Sequence, residues 1–392
     1  MKLLLIISGS IAAEKCKEII KQLSKRNVFI NCIITDSAKK IINVNDIKNN
    51  INGKIFYNSS EIKNKMLHIT LTRNADLVAV CPATANIIAK FANGLADDLA
   101  TNSLIASNKQ ILFMPAMNTQ MWENKINKIN VLKLQKSGVE FIGPDYGYLS
   151  CKEIGIGRLS KTKNIINLIY DYLKKTKKLQ NVKCLVTAGP TLEPIDPIRF
   201  ISNYSSGKQG YEIAKQLMLA GAKVTLISGP TKLQPPPNVK IINIKTANEM
   251  YNATKKINFD VAIFAAAVTD KAPSKFSYKK IKKKNLNKIL LKDNPDIIKK
   301  ISMKNKNKKK LIIGFAAETD KSINNAKRKL LEKNCDLIVL NKIDKNNVFD
   351  SEYNKVILIN KKNIKKFKRT TKINVAKILV NQVIEKIHST KN

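Results

Sequence analysis

Short runs of β-branched and aliphatic residues recur along the chain, each stopped by Gly, Pro, Ser or Asn and separated from the next by a helical stretch. This alternation is the pattern of a parallel sheet flanked by helices, because parallel strands need crossovers and are buried on both faces. In the first half, Lys2–Ser8, Val28–Thr35, Leu77–Cys81, Gln110–Met114 and Glu140–Ile142 read as strands, and Ala12–Lys25, Ala85–Ala92 and Ile165–Leu173 as helices. Residues 174–181 are charged and carry no apolar period, which marks a junction. A second series follows: strands Lys183–Thr187, Lys223–Ser228, Lys240–Ile244, Val261–Ala266, Leu311–Phe315 and Leu337–Leu340, with helices Tyr211–Ala220, Ala247–Lys256 and Ile323–Lys333. The fold class is therefore α/β, two doubly wound Rossmann-like domains over residues 1–182 and 183–392, with ligands at the carboxyl ends of strands. The halves show no internal repeat, and the basic stretch Lys279–Lys310 reads as a long loop or flap.

The chain's 392 residues suffice for two such units, each with its own core. The longest apolar runs, Leu3–Ile7 and Val261–Val268, fall far short of the roughly 18 residues needed to cross a bilayer. Met1–Ala13 has the Lys and small residues of a secretory leader, but its apolar core is too short, and a strand entering a glycine turn explains it. Cys16, Cys32, Cys81, Cys151, Cys184 and Cys335 lie far apart, without a Cys-x-x-Cys pair or a neighbouring His to complete a zinc site. That usage fits a reduced, cytoplasmic compartment. Imidazole chemistry rests on His68, since the other histidine, His388, sits in a polar tail.

Against 29 acidic residues stand 71 basic ones, a formal charge of +42 that alone would point to nucleic acid or an anionic surface. Only six of the 71 are Arg, and the Lys are scattered among Asn and Ile. A groove reader clusters Arg and interleaves aromatics. The expected partners therefore include no specific nucleic acid and no membrane, although nonspecific polyanion binding in vitro is expected.

Three strand ends in the first half carry small or polar residues. Ser8-Gly9-Ser10-Ile11-Ala12-Ala13 opens a helix and can offer backbone NH groups to a phosphate, though a bare turn would have the same letters. Pro82-Ala83-Thr84-Ala85-Asn86 follows the next strand, and Pro115-Ala116-Met117-Asn118-Thr119-Gln120-Met121-Trp122 the one after it, the latter also readable as a packed turn. His68, between Leu67 and Ile69, could equally be a core residue. Cys151 opens the polar, Gly-rich Cys151-Lys152-Glu153-Ile154-Gly155-Ile156-Gly157-Arg158, an unusual setting for a buried thiol. A thiol of ordinary pKa, ~8.5, is protonated at neutral pH and can serve as an acid.

These blocks, in this order, resemble those of the flavin-dependent cysteine decarboxylases. The resemblance implies a flavodoxin-like flavoprotein domain in which Gly9, Ser10, Ile11, Thr35, Thr84, Ala85 and Asn86 hold FMN. It implies that Asn118 binds the substrate carboxylate, that His68 is the active-site histidine, and that Cys151 on a mobile flap returns a proton. The implied chemistry oxidises a cysteinyl thiol to a thioaldehyde, the electron sink as carbon dioxide leaves, before hydride and proton return. The chain departs from this family at Ser10 and Lys152, where Gly is common, and at Glu14, where Tyr is frequent.

In the second half, the segment Thr187–Gly210 runs from a strand to a helix, and its Ser205-Ser206-Gly207-Lys208 turn presents NH donors, hydroxyls and an ammonium. It lacks the Walker spacing. The segment resembles the signature of phosphopantothenate-cysteine ligases, and both halves together resemble the bifunctional coenzyme A biosynthesis family over nearly the whole chain. That implies a C-terminal nucleotide-binding ligase domain using CTP as co-substrate. Mg2+ would bridge the phosphates, although no metal ligands are singled out by the residues themselves. The resemblance implies that 4'-phosphopantothenate is activated as an acyl-cytidylate, that cysteine attacks it, and that the 4'-phosphopantothenoylcysteine formed is the substrate of the first domain. Arg199, Asn203 and Lys280 match catalytic positions. Phe264, Ala265, Ala266, Asp270, Lys280, Asn294, Pro295, Asp296, Ile297, Phe315, Lys329 and Lys333 fall in the blocks of the nucleotide site, Lys329 and Lys333 one helical turn apart. Lys271 stands where relatives usually show an aromatic. A homo-oligomer of decarboxylase trimers and ligase dimers is also implied. The competing readings are a flavin-binding regulatory protein of the same fold, without a working Cys151 or His68, and a nucleic-acid-associated protein, which would show patterned Arg.

Overall fold

The computed structural model describes residues 1–59, 66–282, 288–305, 310–318, 322–342 and 352–389. The chain divides into two compact units, Met1–Lys175 and Thr176–Asn392. The division falls inside the stretch 174–181 expected as the junction, a few residues before the 182/183 boundary drawn from the sequence. Thr176 N–H donates to Leu219 O at 2.9 Å and Leu179 N–H to Ala220 O at 2.8 Å, and Leu179 is fully buried, so this stretch is pinned to the second unit.

In the first unit, β1 (Lys2–Ile7), β2 (Phe29–Ile34), β3 (Ile55–Phe56), β4 (Leu77–Ala83), β5 (Ile111–Pro115) and β6 (Glu140–Phe141) form a parallel sheet in the order β3-β2-β1-β4-β5-β6. Helices cover it by burying apolar stripes: helix Cys16–Ser24 buries Cys16, Ile19, Ile20 and Leu23, the spacing of one helical face. The helix expected over Ala12–Lys25 begins instead as a tight 3-10 turn, Ile11–Lys15, capped by Ser10. One core cluster joins Leu4, Ile6, Val78, Val80, Ile88 and Phe113 beneath these helices. A hairpin of β7 (Asp145–Tyr148) and β8 (Ile154–Arg158) stands apart from the sheet.

The second unit contains β9 (Lys183–Ala188), β10 (Leu192–Pro194), β11 (Phe200–Ser202), β12 (Lys223–Ser228), β13 (Lys240–Asn243), β14 (Val261–Phe264), β15 (Lys271–Pro273), β16 (Leu291–Asp293), β17 (Leu311–Glu318), β18 (Leu337–Lys342), β19 (Tyr353–Asn354), β20 (Val356–Ile359), β21 (Ile364–Lys366) and β22 (Thr370–Thr371). Its main sheet runs β13-β12-β9-β14-β17-β18-β20-β21, parallel up to β18 and antiparallel beyond it. The parallel part repeats the winding of the first sheet without any sequence repeat. Winding reverses between β1 and β4 in one unit and between β9 and β14 in the other, the switch points where such sheets bind ligands.

The basic stretch expected as one long loop holds β16 and the helix Ile297–Lys304, whose first turn Asp296 caps by accepting from Lys299 N–H at 3.0 Å. Residues 283–287 and 306–309 of that stretch lie outside the described residues. Among the described residues, no helix is long and apolar enough to cross a membrane.

Candidate active sites

The ends of β2, β1 and β4 lie side by side at the first switch point. Ser8 ties two of them together: its hydroxyl donates to Pro82 O at 2.7 Å and accepts from Thr84 N–H at 3.2 Å. Thr35 donates to Ile7 O at 3.2 Å and accepts from Ala38 N–H at 3.3 Å, capping the helix Asp36–Lys39. Thr84 caps the helix Ala85–Ala92 by accepting from Ile87 N–H at 3.4 Å, with Ala85 and the exposed Asn86 in its first turn. Ser10 accepts from Ala12 N–H at 3.4 Å, and Ile11 beside it is exposed. A Cβ on Gly9 would lie 2.5 Å from Ser37 Cβ, so only glycine lets these loops close up. Neutral hydroxyls and several helix amino ends around a floor without side chain fit the phosphate and ring of a flavin nucleotide.

Beyond the third strand end, Asn118 caps the short helix Thr119–Glu123. Its Oδ1 accepts from Gln120 N–H at 2.7 Å, which turns Nδ2 the other way. Nδ2 donates to Glu153 Oε2 at 2.8 Å and lies 3.6 Å from Cys151 Sγ. The hairpin reaches this point because Met117 N–H donates to Gly157 O at 3.0 Å and because Gly155 and Gly157 leave room for Thr119 and Met117 O that any Cβ would take. Its tip is closed by Lys152 N–H to Leu149 O at 3.0 Å and Leu149 N–H to Glu153 O at 2.9 Å, with Lys152 left-handed at φ 64°. Asn118 and Cys151 are thus brought together. His68 stands on another element, the half-buried first turn of the helix Leu67–Arg73, which packs on the helix Leu99–Ala106.

Cys151 is exposed, whereas the other five thiols are buried. Burial pushes the Cys184 thiol up to about 12 and the Cys335 thiol up to about 12, so neither is available as a thiolate near neutrality.

At the second switch point, the loops after β9 and β14 are laced together. Ala265 N–H donates to Thr187 O at 3.2 Å, Ala266 N–H to Thr187 Oγ1 at 3.3 Å and Ala267 N–H to Gly189 O at 2.9 Å. Gly189 and Gly207, at φ 74° and 77°, both border Thr231, and Gly207 leads directly into the helix Lys208–Leu219. Asn203 Nδ2 donates to Ala267 O at 3.1 Å, holding the Ser-rich turn against the β14 loop.

Arg199 is bound through its Nε, at 3.0 Å, and its Nη2 to the buried Asp196, and Nη2 also donates to Ile281 O at 2.8 Å. The Arg199 guanidinium, followed by N–H bonds from Ile198, Ile281 and Arg199 itself, holds the Asp196 carboxyl well below the usual carboxylate range. This pair anchors the strand of chain that carries the exposed Lys280. Asn294 donates to Thr269 O at 2.9 Å and receives its own place from Asn294 N–H to Asp270 O at 2.9 Å. Phe264 and Ile297 belong to the core, so only their backbone can face a ligand, and Pro295 and Phe315 are half-buried. Lys329 is held on Glu318 at 2.7 Å and Lys333 on Asp296 at 3.2 Å, and Lys271 pairs with Asp293 across β15 and β16 at 2.7 Å. Lys283 and Thr319, within two of the expected blocks, lie outside the described residues.

Ser8, Glu153, Asp196 and Glu318 lie inside motifs the sequence reading picked out, but it gave none of them a role of its own, and each orients a neighbour that it did single out. Asp196 carried the clearest local signal, the Asp-x-x-Arg spacing of a tight turn. Among the described residues, no group of three His, Cys, Asp or Glu could cage a metal ion.

Two doubly wound units with strand-end crevices, one bearing a thiol on a hairpin and the other a glycine-lined nucleotide-type loop, place the chain among two-domain α/β flavoproteins. The family model described as Flavoprotein matches residues 1–174, and that of the DNA/pantothenate metabolism flavoprotein C-terminal domain matches residues 179–387. The coenzyme A biosynthesis bifunctional protein CoaBC of Borreliella burgdorferi is 41% identical over 381 residues, covering 96% of this chain and 97% of that one. Its counterpart in Haemophilus influenzae is 36% identical over 391 residues, covering 98% and 97%. A crystal structure of the C-terminal domain of such a protein is 36% identical, with a TM-score of 0.48 over 55% of this chain and 100% of that one. The chain belongs to the coenzyme A biosynthesis bifunctional protein family.

Proposed function

We propose that the second unit ligates cysteine to 4'-phosphopantothenate at the cost of CTP, and that the first unit decarboxylates the product to 4'-phosphopantetheine. The observation that carries the decarboxylase reading is the meeting of the Asn118 amide with the exposed Cys151 thiol beside the strand-end cradle. Gly9, Ser10, Ile11, Thr35, Thr84, Ala85 and Asn86 would hold FMN there, and bound FMN supplies the two-electron oxidation of the cysteinyl thiol and its reversal. Asn118 Nδ2 donates to the substrate carboxylate, orienting the bond that breaks. Cys151, exposed on the hairpin tip, delivers a proton after carbon dioxide leaves. His68 serves the oxidation step from its own helix.

In the ligase, Lys280, Lys329, Lys333 and the amino end of the helix Lys208–Leu219 supply the positive field that a triphosphate and a phosphorylated acid require. Asn203 donates to the developing acyl oxyanion, and Arg199 fixes the loop that carries Lys280. Mg2+ enters as the counter-ion of the phosphates rather than in a protein cage. The exchange of one unit's product into the other's site suits a homo-oligomer in a reducing compartment.

The decarboxylase reading is tested with Cys151→Ser. That variant is expected to release about one carbon dioxide per bound flavin in a single turnover, with further release only as dioxygen reoxidises the flavin, and to accumulate the unreduced enethiol, read by its ultraviolet absorbance. Equal loss of both steps would assign Cys151 to flap geometry instead.

A further inference from the structure

Glu153 is absent from every role assigned so far, yet its Oε2 sits 2.8 Å from Asn118 Nδ2, the full length of a charge-assisted hydrogen bond. Asn118 has no second amide orientation to offer, because Oδ1 is held by Gln120 N–H at 2.7 Å as the cap of its helix. Of the two Nδ2 hydrogens, one goes to Glu153 and the other faces Cys151 Sγ at 3.6 Å. The tip geometry makes this arrangement specific: the left-handed Lys152 turns the chain between Cys151 and Glu153 so that both side chains reach the same nitrogen.

We propose that Glu153 is a stand-in for the substrate's carboxylate, occupying Asn118 until a carboxylate-bearing ligand exchanges with it. The proposal rests on the reading of Asn118 as that carboxylate's donor. Its chemical sense lies in what must leave. A carboxylate bound more tightly in the ground state than in the transition state is stabilised against loss as carbon dioxide, so such binding lowers KM at no gain, or at a cost, in kcat. By exchanging one carboxylate for another, the tip orients the group while adding little net affinity. Once carbon dioxide has gone, Glu153 returns to Asn118, and the amide is satisfied with product still present.

The test uses the flavin-loaded full chain, with retained flavin absorbance as the check of folding. For wild type, Glu153→Gln and Glu153→Ala, KM and kcat are measured with 4'-phosphopantothenoylcysteine, and the dissociation constant of 4'-phosphopantetheine is measured by calorimetry. Substrate and product share the phosphate and differ in the carboxylate, so their comparison isolates the exchange. Glu153→Ala is expected to lower KM roughly threefold to tenfold, the net worth of an ordinary hydrogen bond, since solvent exposure takes away the extra strength of the charged partner. Its kcat should be no higher, product affinity should stay within about twofold, and Glu153→Gln should fall between. A KM that rises or stays unchanged, or a KM that moves together with product affinity, overturns the proposal. Asn118→Ala separates the two readings: if it leaves KM unchanged, the assignment of Asn118 itself fails. If it raises KM while Glu153→Ala does not lower it, the stand-in alone fails.

Discussion

Lys152 adopts a backbone conformation, φ 64°, that costs an L-residue roughly 1–2 kcal/mol and costs glycine nothing sterically. A departure noted in the sequence thus becomes a measurable strain. Allowing for the extra unfolded-state freedom of Gly, Lys152→Gly is expected to stabilise the first unit by about 0.5–1 kcal/mol, read from its urea transition. A loss of stability would show that the tip is not left-handed. Asp196 gives a second test at this scale. Its folded pKa is depressed, first by Arg199, so its contribution is complete above the ordinary carboxylate value of ~3.9 and disappears as pH falls through the lower folded value. Asp196→Asn should therefore destabilise the second unit by a gap that is constant from about pH 8 to 5 and narrows only below about pH 4. A gap that changes between pH 8 and 6 would assign the effect to another group.

At the scale of elements, the hairpin of β7 and β8 depends on close backbone approach. Gly157, at φ 156°, would drive a Cβ into Met117 O. Gly157→Ala is expected to displace the tip and lower decarboxylase kcat by tenfold or more, leaving ligase turnover unchanged in the same preparation. Ligase loss of equal size would mean general misfolding. The contrast between legible and hidden elements has the same origin. β1, β4, β9 and β14 are buried on both faces, so their unbroken apolar runs announced them. The hairpin, β10, β11 and the edge strand β21 are short and partly exposed, and pairing register rather than periodicity holds them, whereas β20, the buried apolar run Val356–Ile359, was legible in the sequence and passed over. In the site, Asn118, Cys151 and Arg199 stood out because their motifs are local. Glu153 touches Asn118 across 35 residues, and Glu318 meets Lys329 only because β17 and the following helix fold back, so partners of this kind are written in the fold alone.

At the scale of the whole molecule, two sheets of the same winding each carry a core cluster of their own and a switch point of their own, so one chain holds two strand-end sites. The high positive charge is spread among Lys residues on both units, and Lys329, Lys333 and Lys271 are paired with Glu318, Asp296 and Asp293. The central claim is that these two crevices perform consecutive steps, and one incubation tests it most directly. The full chain, loaded with FMN, is supplied with 4'-phosphopantothenate, cysteine, CTP and Mg2+, and pyrophosphate and carbon dioxide are followed separately. Sustained pyrophosphate release that requires cysteine, followed after a lag by carbon dioxide approaching the same amount, is the expected result. Carbon dioxide release without CTP, or sustained pyrophosphate release without cysteine, would contradict the account.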